Sequence, residues 1–309
     1  VTAEIFTDNR SARVSVAGYG DMVFELFEDL APLATERMIT LAEDDFYEDI
    51  IFHRILDNFV IQGGDPTGLG TGGSAFDDFD DQFSVDLQHN RTGLLSMAKS
   101  TDDTNDSQFF ITEGDNTASL RNLDFNHTIF GVLVEGEAVR ESISNTAVDS
   151  SGSGDPDFDP TMEGIEIFED DENAVLFLKA VDGATGTANI TVTVTDEDGN
   201  SYDQTFEVTL EADTFDGNPF LGEIAPQTAV VNTPVSFQLT SEDVEGDDVF
   251  YFAENLSDIA YTFTVSDEGL VEVTPPTDFV GELEIEVSVG NTDVDGDDSQ
   301  SVTITFTDT

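Results

Sequence analysis

Residues 188–210, ANITVTVTDEDGNSYDQTFEVTL, alternate apolar and polar side chains on both sides of a DEDGN break. A period of two sends successive side chains to opposite faces, so each run can bury only one face of a sheet. An Asp-Gly break between two such runs is a hairpin signal. The pattern recurs in DMVFELF (21–27), TPVSFQLTSED (233–243), AYTFTVSDEGLVEVTPP (260–276), GELEIEVSVG (281–290) and SQSVTITFTD (299–308). Two stretches read as helix instead: APLATERMITLAE (31–43), with Pro32 in its first turn, and residues 136–144. The chain is therefore expected to be mainly β.

A length of 309 residues suits two or three domains. Further strands are expected at 50–55, 58–63, 94–98, 108–112 and 128–133. Many strands, few helices and Gly-rich turns fit a closed barrel capped by helices over residues 1–148. DSSGSGDPDFDP (149–160) has linker composition. Beyond it the pattern changes to short strands every 8–12 residues with acidic turns, a β-sandwich style. Residues 161–213 form a short unit and 219–309 a longer one. Both resemble immunoglobulin-like or cadherin-like modules of bacterial surface proteins, a likeness of style.

Charge narrows the partners. The chain carries 67 acidic and 9 basic residues, a net charge of −58. Residues 1–140 hold 8 of the bases, and Lys179 is the ninth. Such a surface repels nucleic acid and anionic membrane. No apolar run approaches the length that spans a bilayer, so membrane insertion is not expected. The chain has no cysteine, which excludes disulfides, thiolate nucleophiles and Cys metal sites. It begins at Val1, so a removed leader is compatible with it. Salt adaptation, calcium-binding loops and plain solubility each explain the acidity. A saline exterior is the favoured setting: extracellular, cell-surface or periplasmic.

Three blocks carry the chemistry: FHRILDNFVIQGGDPTGLGTGG (52–73), GLLSMAKSTDDTNDSQFFIT (93–112) and NLDFNHTIFG (122–131). In this order they resemble the cyclophilin family of peptidyl-prolyl isomerases over roughly residues 1–148. The resemblance implies an eight-stranded antiparallel barrel with two capping helices, no cofactor, and proline-containing polypeptides as partners. It implies catalytic roles for Arg54, Gln62, Phe110 and His127. Arg54 would act as a cation aimed at the proline nitrogen, and the competing reading is an arginine that neutralises nearby acids. Phe59, Val60, Phe110, Leu123 and His127 would line the proline pocket, with Val60 where many members carry Met. Ordinary core is the alternative for the apolar members. Gln62 and Gln108 would hold the substrate backbone, with the main chain of Lys99 and Asn105 nearby. Ala98-Lys99-Ser100 departs from the commoner Ala-Asn-Ala of this substrate-binding segment. Asn122 stands where the best-known eukaryotic members have Trp, which implies reduced sensitivity to cyclosporin. The stretch 113–122 is about two residues longer than usual for the family.

Other signals are weaker. His53 precedes Arg54 on a strand and is expected on the opposite face, as a structural residue. GLGTGG lacks the Lys-Ser/Thr of a phosphate loop. His53, His89 and His127 are too scattered for zinc. Three turns could offer calcium oxygens: Asp196 with Asp198 and Asn200, Asp243 with Glu245 and Asp247, and Asp293 with Asp295 and Asp297. None carries an EF-hand spacing, and Asp-Gly is also a plain hairpin turn. The leading expectation is an exported or surface isomerase whose tail binds, spaces or anchors, with a possible cell-surface partner. The alternatives are a non-catalytic proline-peptide binder and a calcium-dependent surface protein.

Overall fold

The computed structural model describes residues 1–309 except 7–8, 116, 150–153, 157, 182, 197, 293–296 and 309. In chain order the elements are β1 (Thr2–Phe6), β2 (Arg10–Val16), β3 (Gly20–Leu26), α1 (Pro32–Glu43), β4 (Arg54–Leu56), β5 (Val60–Gly63), β6 (Leu94–Met97), β7 (Phe109–Thr112), α2 (Ala118–Arg121), β8 (Ile129–Glu135), α3 (Glu137–Ser144) and β9 (Met162–Glu169). There follow β10 (Val175–Lys179), β11 (Gly186–Thr195), β12 (Ser201–Leu210), β13 (Phe220–Leu221), β14 (Gln227–Val230), β15 (Val235–Gln238), β16 (Ser241–Glu242), β17 (Val249–Asn255), β18 (Thr262–Val265), β19 (Leu270–Thr274), β20 (Gly281–Asn291) and β21 (Asp297–Thr307). The fold is mainly β, as expected. Among the described residues no helix is long and apolar enough to cross a membrane.

Eight strands form one antiparallel sheet in the order β4-β5-β7-β6-β8-β3-β2-β9. Its two ends meet where the Phe52 N–H donates to Pro160 O at 2.9 Å and the Ile55 N–H to Gly154 O at 2.7 Å. Period-two alternation fills the barrel: Ile61 on β5, Phe109 and Ile111 on β7, and Met22, Phe24 and Leu26 share one core. Helix α1 adds Ala34, Met38, Ile39, Leu41 and Ala42 to that core. Pro32 opens it at a position whose N–H needs no helical partner. Helix α3 starts at Gly136, φ +91°, where a Cβ would collide with the Asp21 carbonyl and Met22.

Three boundaries differ from expectation. The eighth barrel strand is β9, from the segment expected to open the 161–213 module, and it pairs with β2 from Arg10↔Glu169 onward. The expected linker 149–160 lies along the barrel seam in its described part, held by main-chain bonds from residues 154 and 160. Residues 2–6, expected in the barrel, form β1 and pair with β10. Residues 1–8 and 172–215 form a separate unit of two ribbons, β1-β10 and β11-β12. The 161–213 stretch is therefore no module of its own. Polar composition marks a surface segment but does not report where its backbone bonds go.

The remaining residues, 216–309, share a unit with the barrel. They form a four-stranded sheet, β14-β21-β20-β17, and a three-stranded one, β15-β19-β18. Leu283, Ile285, Val287 and Val289 of β20 are fully buried between them with Val271, Val273, Val302 and Ile304. The intervening Glu282, Glu284 and Glu286 face outward. One strand thus holds both the apolar core and the acidic surface.

Candidate active site

The outward faces of β4, β5 and β7 gather most of the candidate residues. On β5, Ile61 enters the barrel core while Val60 and Gln62 take the other face. On β7, Phe109 and Ile111 go in and Phe110 goes out. Val60, Phe110 and Leu120 make a second, small apolar cluster, bordered by Phe59, Ala98 and Leu123. The His127 ring meets Phe110 edge-on, with centroids 5.4 Å apart. Leu120, from the short helix α2, was not anticipated; its signal was an apolar residue three before Leu123.

Register sets Arg54 opposite Gln62, and Gln62 opposite Phe110. Arg54 Nη1 donates to Gln62 Oε1 at 3.3 Å, and Gln62 Nε2 donates to Gln108 Oε1 at 3.0 Å. Gln108 Nε2 donates to Gly72 O at 2.9 Å. The loop that presents Gly72 is organised by Asp65, whose carboxylate accepts the N–H groups of Thr67, Thr71 and Gly72 at 2.7–3.1 Å. Burial raises the Asp65 pKa, and these bonds outweigh it, leaving it at about 2. A continuous polar chain therefore runs from Asp65 through both glutamines to Arg54. The guanidinium also lies 5.8 Å from the Phe59 ring centroid. Burial lowers the Arg54 pKa, yet a guanidinium stays charged at any working pH.

His127 Nδ1 is 3.0 Å from Met97 O, and burial pushes its pKa down to about 4. The ring is neutral at pH 7 and serves as an apolar wall. Behind Phe110 stacks His89, fully buried, with ring centroids 5.8 Å apart. His89 Nδ1 lies 3.1 Å from Asp124 Oδ1 and Nε2 lies 3.0 Å from Ser96 Oγ. Burial lowers its pKa despite the Asp124 carboxylate. Arg121 closes this string on Asp124 at 2.6 Å. His89 and Asp124 thus pack behind Phe110, a placement that residue type alone did not signal.

The other expected residues are placed differently. Asn122 is exposed at the C-cap of α2. The Lys99 side chain is turned away from the glutamines and buried on Asp81 and Asp102. Ser100 lines a cavity beside His127. Asn105, expected to offer its main chain to substrate, pairs its N–H and C=O with Phe79, and its side chain is buried against Asp81. Both ring nitrogens of His53 are buried without a partner among the described residues, and burial lowers its pKa.

Among the described residues the carboxylates close enough to share a metal are Asp81, Asp102 and Asp103, not the expected calcium turns. Lys99 already sits on two of them. Asp196 instead accepts the Asn200 N–H at 2.8 Å, and Asp243 accepts those of Gly246 and Asp247 at 2.8 and 2.9 Å, as turn residues do. Asp198 adds no third carboxylate to its turn. Asp293, Asp295 and the Asp297 side chain lie outside the described residues.

The profile of the family described as cyclophilin type peptidyl-prolyl cis-trans isomerase/CLD matches residues 11–167. Peptidyl-prolyl cis-trans isomerase ppi1 of Schizosaccharomyces pombe is 45% identical over 134 residues, covering 43% of this chain and 84% of that one. Peptidyl-prolyl cis-trans isomerase-like 3 of Dictyostelium discoideum is 43% identical over 132 residues, covering 42% and 80%. A crystal structure of a cyclophilin-type isomerase of Cryptosporidium parvum is 35% identical and covers 52% of this chain and 99% of its own, with a TM-score of 0.49.

Proposed function

The chain belongs to the cyclophilin-type peptidyl-prolyl isomerase family, and on that basis we propose that it accelerates X–Pro rotation by presenting Arg54 to the twisted amide. Such isomerases need no cofactor. An X–Pro bond rotates slowly because amide resonance imposes a barrier of about 18–20 kcal/mol. No bond breaks, so neither a nucleophile nor a proton shuttle is required. Twisting makes the nitrogen pyramidal and returns its lone pair, which a cationic donor stabilises. Raising an exchange of about 10–100 s to roughly 1000 per second takes about 5–7 kcal/mol. One donor in a dry site supplies about 3–4 kcal/mol, and substrate orientation supplies the remainder.

One observation carries this reading. Arg10, Arg13, Arg37, Lys99, Arg121 and Arg140 each sit on a carboxylate. Arg54 makes no ion pair among the described residues of a chain with 67 acids. An amide oxygen and an aromatic ring hold it instead, so most of its five donors remain for substrate. The cluster of Val60, Phe110 and Leu120 offers the proline ring an apolar seat beside it. Gln62 and Gln108 would orient the peptide. Because Asn122 replaces an indole, weak cyclosporin binding belongs to the reading. So does a saline exterior setting, which rests on the net charge of −58.

The reading is tested by exchange spectroscopy on a short X–Pro peptide with a catalytic amount of the full chain in molar salt. Cis–trans exchange orders of magnitude above the uncatalysed rate supports it. Exchange at the uncatalysed rate, with the protein folded, refutes it in favour of a proline-peptide binder.

A further inference from the structure

Phe125 holds a backbone conformation that aromatic residues avoid. Its φ is +54°, and every other described non-glycine residue with positive φ is Asp or Asn. Asp and Asn tolerate that left-handed region through local hydrogen bonds. A bulky side chain there costs free energy that its surroundings must offset. The Phe125 ring stacks on Phe220 of β13, with centroids 5.0 Å apart. Gly217 closes on the same ring, where an added Cβ would come within 3.3 Å. Phe125 and Phe220 are 5% and 6% exposed, so the contact is a buried anchor. Gly217 and Phe220 lie outside the isomerase-family segment of residues 11–167. They belong to the two packed sheets of residues 216–309, the C-terminal sandwich. A strained turn in the isomerase segment is thus anchored from beyond it.

The ends of that turn reach the proline pocket. The His127 N–H donates to Leu123 O at 3.1 Å, with Phe125 between them. Leu123 borders the cluster of Val60, Phe110 and Leu120, and the His127 ring meets Phe110. A second wall is the segment 97–102, which gives the pocket Ala98 and bonds the His127 ring through Met97 O. The sandwich grips this segment too. The Ser299 N–H and Oγ both donate to Asp102 Oδ2, at 2.9 and 2.8 Å. Asp102 Oδ1 in turn accepts from Lys99 Nζ at 2.7 Å. Phe83 ties the two grips together: Phe220 meets its ring edge-on at 5.8 Å, and Lys99 Nζ lies 5.8 Å from the same centroid. One rigid body therefore touches both walls of the pocket.

We infer that the C-terminal sandwich is a clamp on the substrate site, in which Phe220 and Ser299 are positioning residues. They hold the 123–127 turn and the 97–102 segment at the separation a prolyl peptide needs. The inference rests on the isomerase reading above. Neither residue touches substrate; they act through Leu123, His127 and Ala98. Without the Phe220 ring, Phe125 keeps its strain and loses its anchor, so the turn relaxes and carries Leu123 and His127 with it. Arg54 lies on neither wall and is held by Gln62. The loss therefore falls on peptide binding, in KM, more than on kcat. Phe125→Gly removes the strain, because glycine adopts positive φ freely, and with it the need for the anchor.

The test follows isomerisation of a short X–Pro peptide by the full chain, below the melting temperature of every variant. The samples are wild type, Phe220→Ala, Phe220→Ala combined with Phe125→Gly, and Val287→Ala, which loosens the sandwich core away from the barrel. Phe220→Ala is expected to lower kcat/KM about fivefold to tenfold, mostly through KM. The double variant is expected to return within about twofold of wild type, and Val287→Ala to keep wild-type kinetics while melting earlier. An unchanged KM in Phe220→Ala, a loss confined to kcat, or no recovery in the double variant overturns the clamp. A loss in Val287→Ala as large as in Phe220→Ala also overturns it, because general loosening then suffices. No turnover in folded wild type refutes the isomerase reading instead. Should Phe220→Ala fail to fold, Ser299→Ala carries the same expectation of a raised KM with kcat kept, and an unchanged KM there overturns the clamp.

Discussion

Replacing Asp298 by Asn removes a carboxylate from the place where the C-terminal sandwich meets the barrel. The Asp298 side chain is 3% exposed and accepts the Leu221 N–H at 2.7 Å. Burial, joined by the nearby Asp102, Asp103 and Asp81, pushes its pKa up to about 8 from an ordinary 3.8, against the lowering by Leu221. The unfolded chain ionises this group near its ordinary pKa, so from about pH 4 to 8 the folded state keeps a proton that the unfolded state releases. The contribution of the group to stability is fully present below pH 4 and is lost as pH rises through 8. At about 1.36 kcal/mol per unit, a shift of about four units sets an upper limit of about 6 kcal/mol. Local relaxation and bound counter-ions reduce this to roughly 2–4 kcal/mol. Asp298→Asn keeps an acceptor for Leu221 and cannot ionise. Thermal or denaturant melts in molar salt are expected to show the variant more stable by roughly 2–4 kcal/mol at pH 9, and within about 1 kcal/mol of wild type at pH 4–5. An equal difference at both pH values, or a less stable variant at pH 9, refutes the reasoning.

Gly64→Ala places a Cβ against the Ser107 carbonyl at φ +86°, with Gln108 Cα 3.0 Å away, and is expected to lower stability by roughly 2–4 kcal/mol in a denaturant melt. An unchanged midpoint contradicts that close approach. A net charge of −58 repels itself across the folded surface, so the melting temperature is expected to climb steeply from low to molar salt; a flat profile removes the salt-adaptation reading. Asn122→Trp at the exposed C-cap of α2 is expected to tighten cyclosporin binding about tenfold, roughly 1.4 kcal/mol, by calorimetry. No gain there means that the loss of the indole is not what weakens the drug.

Alternation told which face each strand buries, and the structure follows it on β5, β7 and β20. It could not tell which strands pair, because pairing joins backbones far apart in sequence. That is why β9 and β1 fell into the wrong units: IEIF and AVLFLKA read alike, yet the first closes the barrel and the second binds residues 2–6. The grouping of the candidate residues was legible where motif and period agreed. Arg54, Gln62, Phe110, Phe59, Val60, Leu123, Gln108 and His127 lie in one patch. Residues that act through others were not legible. Asp65 organises a loop backbone and His89 packs on the back of Phe110, contacts that no local pattern encodes.

The central claim is that an unneutralised Arg54 stabilises the twisted amide. The measurement that tests it most directly is cis–trans exchange of a short X–Pro peptide by wild type and Arg54→Ala, with peptide Kd determined in the same samples. The account predicts a loss of about 10²–10³ in exchange rate with Kd changed by less than about tenfold. Exchange in Arg54→Ala equal to wild type contradicts it.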